Sequence, residues 1–88
     1  MISEKVTIIN KTGLHARPAN TFVRVALKYP CAVFIEKGGR RFNGKSIVNV
    51  LSACVKLGDE ILLVTDGDQE AEAMAALVAS VKEGLGET

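Results

Sequence analysis

His15 is the only histidine of the chain and lies in the segment GLHARPA, residues 13–19. A neutral imidazole nitrogen carries a lone pair that can act as a nucleophile. Arg17, two residues further on, offers planar N–H donors that match the oxygens of a phosphate. A nucleophilic ring beside a guanidinium indicates a site that accepts a phosphoryl group. The competing interpretation is a helix cap or an ordinary surface histidine, and a single histidine without neighbouring ligands argues against a metal site.

The residues after His15 predict a helix from about residue 16 to residue 28. Pro18 is tolerated in a first helical turn, and apolar residues recur at i, i+3, i+4 and i+7, at Ala19, Phe22, Val23 and Ala26. His15 then falls at or near the N-cap. The free backbone N–H groups of Ala16 and Arg17, together with the positive end of the helix dipole, would hold phosphate oxygens there.

Two segments resemble a known family. GLHARPA resembles the active-site signature of HPr, the histidine-containing phosphocarrier family of the phosphoenolpyruvate:sugar phosphotransferase system. GKSIV, residues 44–48, resembles that family's regulatory serine segment, with Ser46 as the serine. The length of 88 residues also agrees, and the resemblance covers essentially the whole chain. It implies a single domain spanning residues 1–88.

The resemblance implies a phosphocarrier that is not itself an enzyme and that needs no cofactor. His15 would accept a phosphoryl group at Nδ1 from enzyme I and pass it to sugar-specific enzyme IIA domains during sugar uptake, with Arg17 as the second matched reactive position. The resemblance also implies that HPr kinase/phosphorylase modifies Ser46 at the expense of ATP. The modified protein would then recruit a catabolite-control transcription regulator.

A docking surface is expected next to the histidine. Consecutive apolar residues on one short helix cannot all face inward, so we expect some of Ile47, Val48 and Leu51 to be exposed while Val50 is buried. The resemblance implies that this patch binds enzyme I and enzyme IIA. Arg24, together with Arg17, would meet acidic groups of the partners.

Two other functions remain as alternatives. In the first, the chain is a purely regulatory module recognised through Ser46, which by itself is a helix cap worth about 1 kcal/mol. His15 argues against this alternative, because the regulatory paralogue of the family lacks that histidine. In the second, residues 39–46 form a Walker A loop and residues 61–66 a Walker B strand. This alternative needs a buried parallel sheet, which a chain of 88 residues cannot supply.

Composition excludes several classes of partner. The net charge is +1, with one Tyr, three Phe and no Trp, so neither a basic surface nor a stacking platform for nucleic acid is expected. The sequence shows no signal peptide and no long apolar run, which predicts a cytoplasmic protein without membrane insertion. Cys31 and Cys54 lack metal or redox spacing and are expected to be reduced.

The pattern predicts the order βαββαβα. The predicted elements are a strand at 6–8, the helix from 16, strands at 32–37 and 40–43 joined by Gly38 and Gly39, a short helix capped by Ser46, a strand at 61–65, and a helix capped by Asp68. This order predicts an α+β fold, an open-faced two-layer sandwich in which a four-stranded antiparallel sheet carries three helices on one face. A ferredoxin-like split βαβ fold is the alternative.

Two details complete the expectation. Ile9, Phe34, Leu62 and Val64 would form an apolar cluster on the open face of the sheet, which predicts weak self-association. Ala53-Cys54 replaces the Leu-Gly pair usual in the family, so the second helix is expected to run longer.

Overall fold

The fold is described by a computed structural model covering residues 1–86. Its elements are β1 (Ile2–Thr7), α1 (Ala16–Leu27), β2 (Ala32–Lys37), β3 (Arg40–Asn43), α2 (Ile47–Ser52), β4 (Glu60–Asp66) and α3 (Glu70–Lys82). The predicted order of elements is confirmed. The first strand begins earlier than expected and ends before Ile8, whose side chain is nevertheless fully buried.

The sheet has the strand order β1-β4-β2-β3, and each neighbouring pair is antiparallel. The predicted antiparallel sheet is therefore confirmed. The ferredoxin-like alternative would place β1 and β3 in the centre of the sheet, whereas here they are the two edge strands. Gly38 and Gly39 close the β2–β3 hairpin with φ of 58° and 78°, as a tight turn with two left-handed positions requires. Residues 39–46 thus form a hairpin turn, a strand and the turn into α2, and not the strand–loop–helix of a nucleotide site.

One face of the sheet packs against the helices. Cross-strand partners share a face, and the buried apolar members of this face are Val6, Val33, Ile35, Phe42, Ile61 and Leu63. Phe22 of α1, Val50 of α2 and Leu77 of α3 are fully buried in the same hydrophobic cluster. The sandwich therefore has one core between its two layers.

The open face carries a smaller apolar cluster than the sequence predicts. Ile9 lies outside β1, and Val64 in the middle of the sheet is only 2% exposed. Phe34 and Leu62 are half-buried. The guanidinium of Arg41 lies 4.8 Å above the centroid of the Phe34 ring and pairs with Glu36 on the neighbouring strand. Self-association through this face stays a prediction.

The predicted extension of α2 is wrong. The helix ends at Ser52, and Cys54 adopts a left-handed conformation with φ of 52°. The Lys37 ammonium donates hydrogen bonds to the carbonyls of Cys54 (2.8 Å) and Ala53 (3.4 Å). These contacts satisfy carbonyl groups that a helix end leaves without partners, so the helix stops there without a glycine.

The predicted cap of α3 is also wrong. Gln69, not Asp68, is the N-cap residue, and its left-handed φ of 64° turns the chain into the helix. The Glu70 carboxylate accepts a hydrogen bond from the Gly67 amide at 2.9 Å. Glu70, the first residue of the helix, therefore closes the turn of residues 67–70 through its side chain, and Asp68 does not act as the cap.

Asp59 organises the loop of residues 54–59. Its carboxylate accepts the Lys56 amide at 2.9 Å and pairs with the Lys37 ammonium at 3.1 Å. Backbone hydrogen bonds join Ile8 to Asp59 and Gly58 to Ile8. The Lys56 amide, and after it the Lys37 ammonium, lower the pKa of Asp59 from its usual value of 3.8. The loop is thus held both to β2 and to the chain that follows β1.

The chain before His15 rests directly on this loop. The Leu14 amide donates to the Val55 carbonyl at 3.0 Å. Gly13 has φ of 63°, and a Cβ placed on it would lie 2.2 Å from the Val55 oxygen and 2.7 Å from the Lys56 Cα. Only glycine supplies both the left-handed backbone and the missing side chain at this contact.

We predict that Asp59 makes stability depend on pH. A carboxyl whose folded pKa is lowered stabilises the fold above its unfolded pKa, and this stabilisation is lost as the pH falls through the lower folded pKa. Asp59→Asn should therefore lower the free energy of unfolding at neutral pH, and its deficit should shrink on acidification below the usual carboxyl pKa. Urea unfolding, from neutral pH to below the usual carboxyl pKa, measures the difference in the free energy of unfolding between the variant and the unsubstituted protein. Asp68→Asn is the control for removing a surface carboxylate. An Asp59→Asn deficit that is independent of pH would contradict the assignment.

We also predict that Gly13→Ala destabilises the fold by about 3 kcal/mol, since a strained φ and a backbone clash add together. Gly38→Ala is the matched control, because Gly38 has a similar φ of 58° but no atom within 4 Å of the position that a Cβ would occupy. The control should cost only about 1 kcal/mol. Thermal or urea unfolding measures the stability of both variants. Equal losses of stability would show that the close contact of Gly13 with residues 55–56 is unimportant.

Candidate functional site

His15 is the N-cap residue of α1 and is exposed to solvent. Its backbone is extended, with φ of −123° and ψ of 149°, and within residues 1–86 its side chain makes no capping hydrogen bond. Leu14 beside it is only 2% exposed. The buried leucine fixes the chain while the next side chain turns outward, so the imidazole is presented to solvent without serving as a cap.

The backbone turns sharply directly after the histidine. Ala16 has φ of 40°, an unusual conformation for a residue with a Cβ, and such positions store of order 1–3 kcal/mol of strain. Pro18 is buried in the first turn, whereas Ala16 and Arg17 are exposed. The predicted start of the helix near residue 16 is confirmed. Amides in a first turn have no helical partner, and no acidic residue occupies this turn, so the end of the helix can attract an anion.

Arg17 and Arg24 are both exposed on α1. They lie seven residues apart, which corresponds to two turns and therefore to the same side of the helix. Neither arginine forms a salt bridge within the described part of the chain. Both guanidinium groups are thus available to an anion or to an acidic partner.

A shallow depression of about 400 Å³ lies beside the histidine. It is lined by Thr12, Leu14, His15, Leu51, Cys54, Val55 and Lys56. The structure thus brings the end of α2 and the loop that follows it next to the imidazole. Sequence reasoning identified His15 and Leu51 but not the contributions of Cys54, Val55 and Lys56. The only sequence signal for them is Gly13, whose missing side chain permits the contact.

Helix α2 presents the predicted serine and apolar residues. The Ser46 hydroxyl, at the N-cap, accepts the Asn49 amide at 3.3 Å and the Asn49 side chain at 3.2 Å. Val48 is 68% exposed, while Val50 is fully buried, as predicted. Ile47 and Leu51 are 38% and 37% exposed. Of this set only Leu51 lines the depression beside His15; Ser46, Ile47 and Val48 lie outside it.

No group of three His, Cys, Asp or Glu side chains in residues 1–86 is arranged to hold a metal ion. Among the same residues, none of the helices has the length and apolarity needed to cross a membrane.

Comparison with known proteins gives a consistent result. The family profile described as "PTS HPr component phosphorylation site" matches residues 2–83. The HPr-like protein Crh of Bacillus subtilis is 43% identical over 83 residues, which cover 94% of this chain and 98% of that protein. Phosphocarrier protein HPr of Neisseria meningitidis serogroup A is 41% identical over 87 residues, covering 99% of this chain and 98% of that protein.

The structural comparison agrees. The crystal structure of HPr-C-His from Thermoanaerobacter tengcongensis superposes with a TM-score of 0.97 at 41% identity, covering 100% of this chain and 99% of that one. The profile, the relatives and the fold lead to one assignment: the chain belongs to the HPr family of phosphocarrier proteins of the phosphotransferase system, which are carriers and not catalysts.

Proposed function

We propose that this protein carries a phosphoryl group on His15, which it receives from enzyme I and delivers to sugar-specific enzyme IIA domains during phosphoenolpyruvate-dependent sugar uptake. The observation that carries the proposal is the exposed imidazole of His15 at the start of the 12-residue helix α1. Its side chain makes no capping hydrogen bond within residues 1–86. Membership of the HPr family supports it. These partners imply that the protein acts in the cytoplasm.

The proposed step needs a neutral imidazole with its proton on Nε2. The Nδ1 lone pair forms a bond to phosphorus while the bond from phosphorus to the donor breaks, and the electron pair of that bond stays with the donor. The transferred group passes through a loose transition state with charge spread over its three equatorial oxygens. The amides of Ala16 and Arg17 and the Arg17 guanidinium would stabilise that charge. Delivery to enzyme IIA is the same step with the roles of donor and acceptor exchanged.

A docking surface for both partners follows from the exposed residues around the histidine. Ile47, Val48 and Leu51 provide an apolar area on α2, and Arg24 adds a cation on α1. A small, partly apolar interface suits proteins that must bind and separate in every transfer cycle. The guanidinium groups would pair with acidic residues of enzyme I and enzyme IIA.

A second, regulatory role belongs to Ser46. Its side chain is partly exposed at the N-cap of α2, where a phosphate would be favourable and would add a charge of about −1.5 to −2. Modification by HPr kinase/phosphorylase would repel an acidic surface of enzyme I and create a feature that a catabolite-control regulator could recognise. The 42% identical Crh of Bacillus subtilis, whose solution structure is described as that of the "Catabolite Repression HPr", supports a regulatory role, while His15 favours a carrier over a purely regulatory module.

We predict that His15→Ala abolishes labelling by enzyme I and radioactive phosphoenolpyruvate, because His15 is the only imidazole in the chain. The label on the unsubstituted protein should be acid-labile, as expected for a phosphohistidine. Ser46→Ala is the control and should keep this label. Circular dichroism checks that both variants fold, and a folded His15→Ala protein that still takes up acid-labile phosphate would refute the proposal.

We predict that ATP and HPr kinase/phosphorylase place an acid-stable phosphate on Ser46. Ser46→Ala should lose this label and, because it removes the cap, should also lower the stability by about 1 kcal/mol. Ser52→Ala is the matched control, since Ser52 is exposed on the same helix. Label that persists in Ser46→Ala and disappears in Ser52→Ala would contradict the assignment.

A further inference from the structure

The depression beside His15 contains a cation that the proposed mechanism does not yet use. Lys56 lines it together with the histidine, whereas Arg17, which belongs to α1, is not among the lining residues. Helix α2, with the sequence IVNVLS, has no charged residue. Lys56 is thus the cation that the α2 side of the site contributes to the depression.

The backbone of Lys56 is fixed close to the histidine. A Cβ on Gly13 would lie 2.7 Å from the Lys56 Cα, so the two chain segments touch only two residues before His15. The Lys56 amide donates to Asp59 Oδ2 at 2.9 Å, and the Asp59 amide donates to the Lys56 carbonyl at 3.0 Å. The origin of the lysine side chain is therefore held in place before any phosphate arrives.

The charge of Lys56 is not neutralised by a close partner within residues 1–86. Its ammonium forms no salt bridge there, although Asp59 lies three residues away. The Asp59 carboxylate instead pairs with Lys37 at 3.1 Å. Asp59 thus positions the backbone of Lys56 and attracts its ammonium without direct contact, while the Asp59 carboxylate pairs directly with Lys37. The Lys56 ammonium is therefore available to an incoming anion.

We propose that Lys56 binds an oxygen of the phosphoryl group carried by His15, as a second cation opposite the Arg17 guanidinium. This inference rests on the proposed phosphocarrier function. Lysine contacts phosphate as a mobile point charge and arginine as a planar fork. The pair would hold the phosphoryl group between two elements and make the phosphorylated carrier more stable relative to its donor.

The test is the phosphoryl-transfer equilibrium with enzyme I and phosphoenolpyruvate. Lys56→Gln should lower the phosphorylated fraction relative to the donor by roughly threefold to tenfold, and Lys56→Arg should retain most of it. Lys5→Gln removes the same charge from the open face of the sheet and is the matched control, which should match the unsubstituted protein. The Lys56 effect should weaken as salt is added, because the groups are exposed.

A second measurement separates phosphate binding from docking or folding. A nearby ammonium favours the dianionic phosphoryl group, so Lys56→Gln should raise the pKa of that group in a phosphorus NMR titration. A slower transfer with an unchanged phosphate titration would assign Lys56 to partner docking and overturn the inference. The inference would also be overturned if Lys56→Gln and Lys5→Gln showed the same transfer equilibrium and the same phosphate titration. Failure of the unsubstituted protein to take up phosphate would instead refute the proposed function itself.

Discussion

The close approach of Gly13 and Leu14 to residues 55–56 is the constraint on which the site depends. The Leu14 amide bonds to the Val55 carbonyl at 3.0 Å, and the space for a side chain on Gly13 is already filled. This contact brings the start of α1 and the end of α2 to one depression. The loop that receives it is itself tied to β2 through Asp59 and Lys37. The Lys37–Asp59 ion pair therefore affects the site indirectly, by fixing the loop on which Gly13 and Leu14 pack.

The exposed histidine is a consequence of packing on both sides of it. Leu14 and Pro18 are buried, so the three residues between them must bridge two fixed points at the surface. Burial of a leucine side chain contributes about 1.5–3 kcal/mol. This is similar in size to the strain of about 1–3 kcal/mol expected for the left-handed conformation of Ala16. The core can therefore hold an unfavourable turn that leaves His15, Ala16 and Arg17 exposed to solvent.

Features decided by local sequence could be predicted, and those decided by distant contacts could not. The start of α1, the glycine hairpin and the Ser46 cap each follow from residues adjacent in the chain, and the structure agrees with all three. The end of α2 depends on Lys37 from β2, which binds the Cys54 carbonyl. Lys56 reaches the depression only because Gly13 permits a tertiary contact. The burial of Val64 likewise reflects its central place in a sheet whose strand order the sequence does not encode locally.

The two residues proposed to carry phosphate lie near opposite ends of α2. Leu51 lies in the last turn of α2 and shares the depression with His15, whereas Ser46 caps the first turn, about 8 Å away along the axis. That separation is close to the Debye length of about 8 Å at physiological ionic strength. A phosphate on Ser46 would therefore be partly screened from the end of α2 that borders the imidazole, while lying directly beside Ile47 and Val48. Because those residues belong to the proposed docking surface, modification of Ser46 would change which protein binds before it changed the reactivity of the histidine.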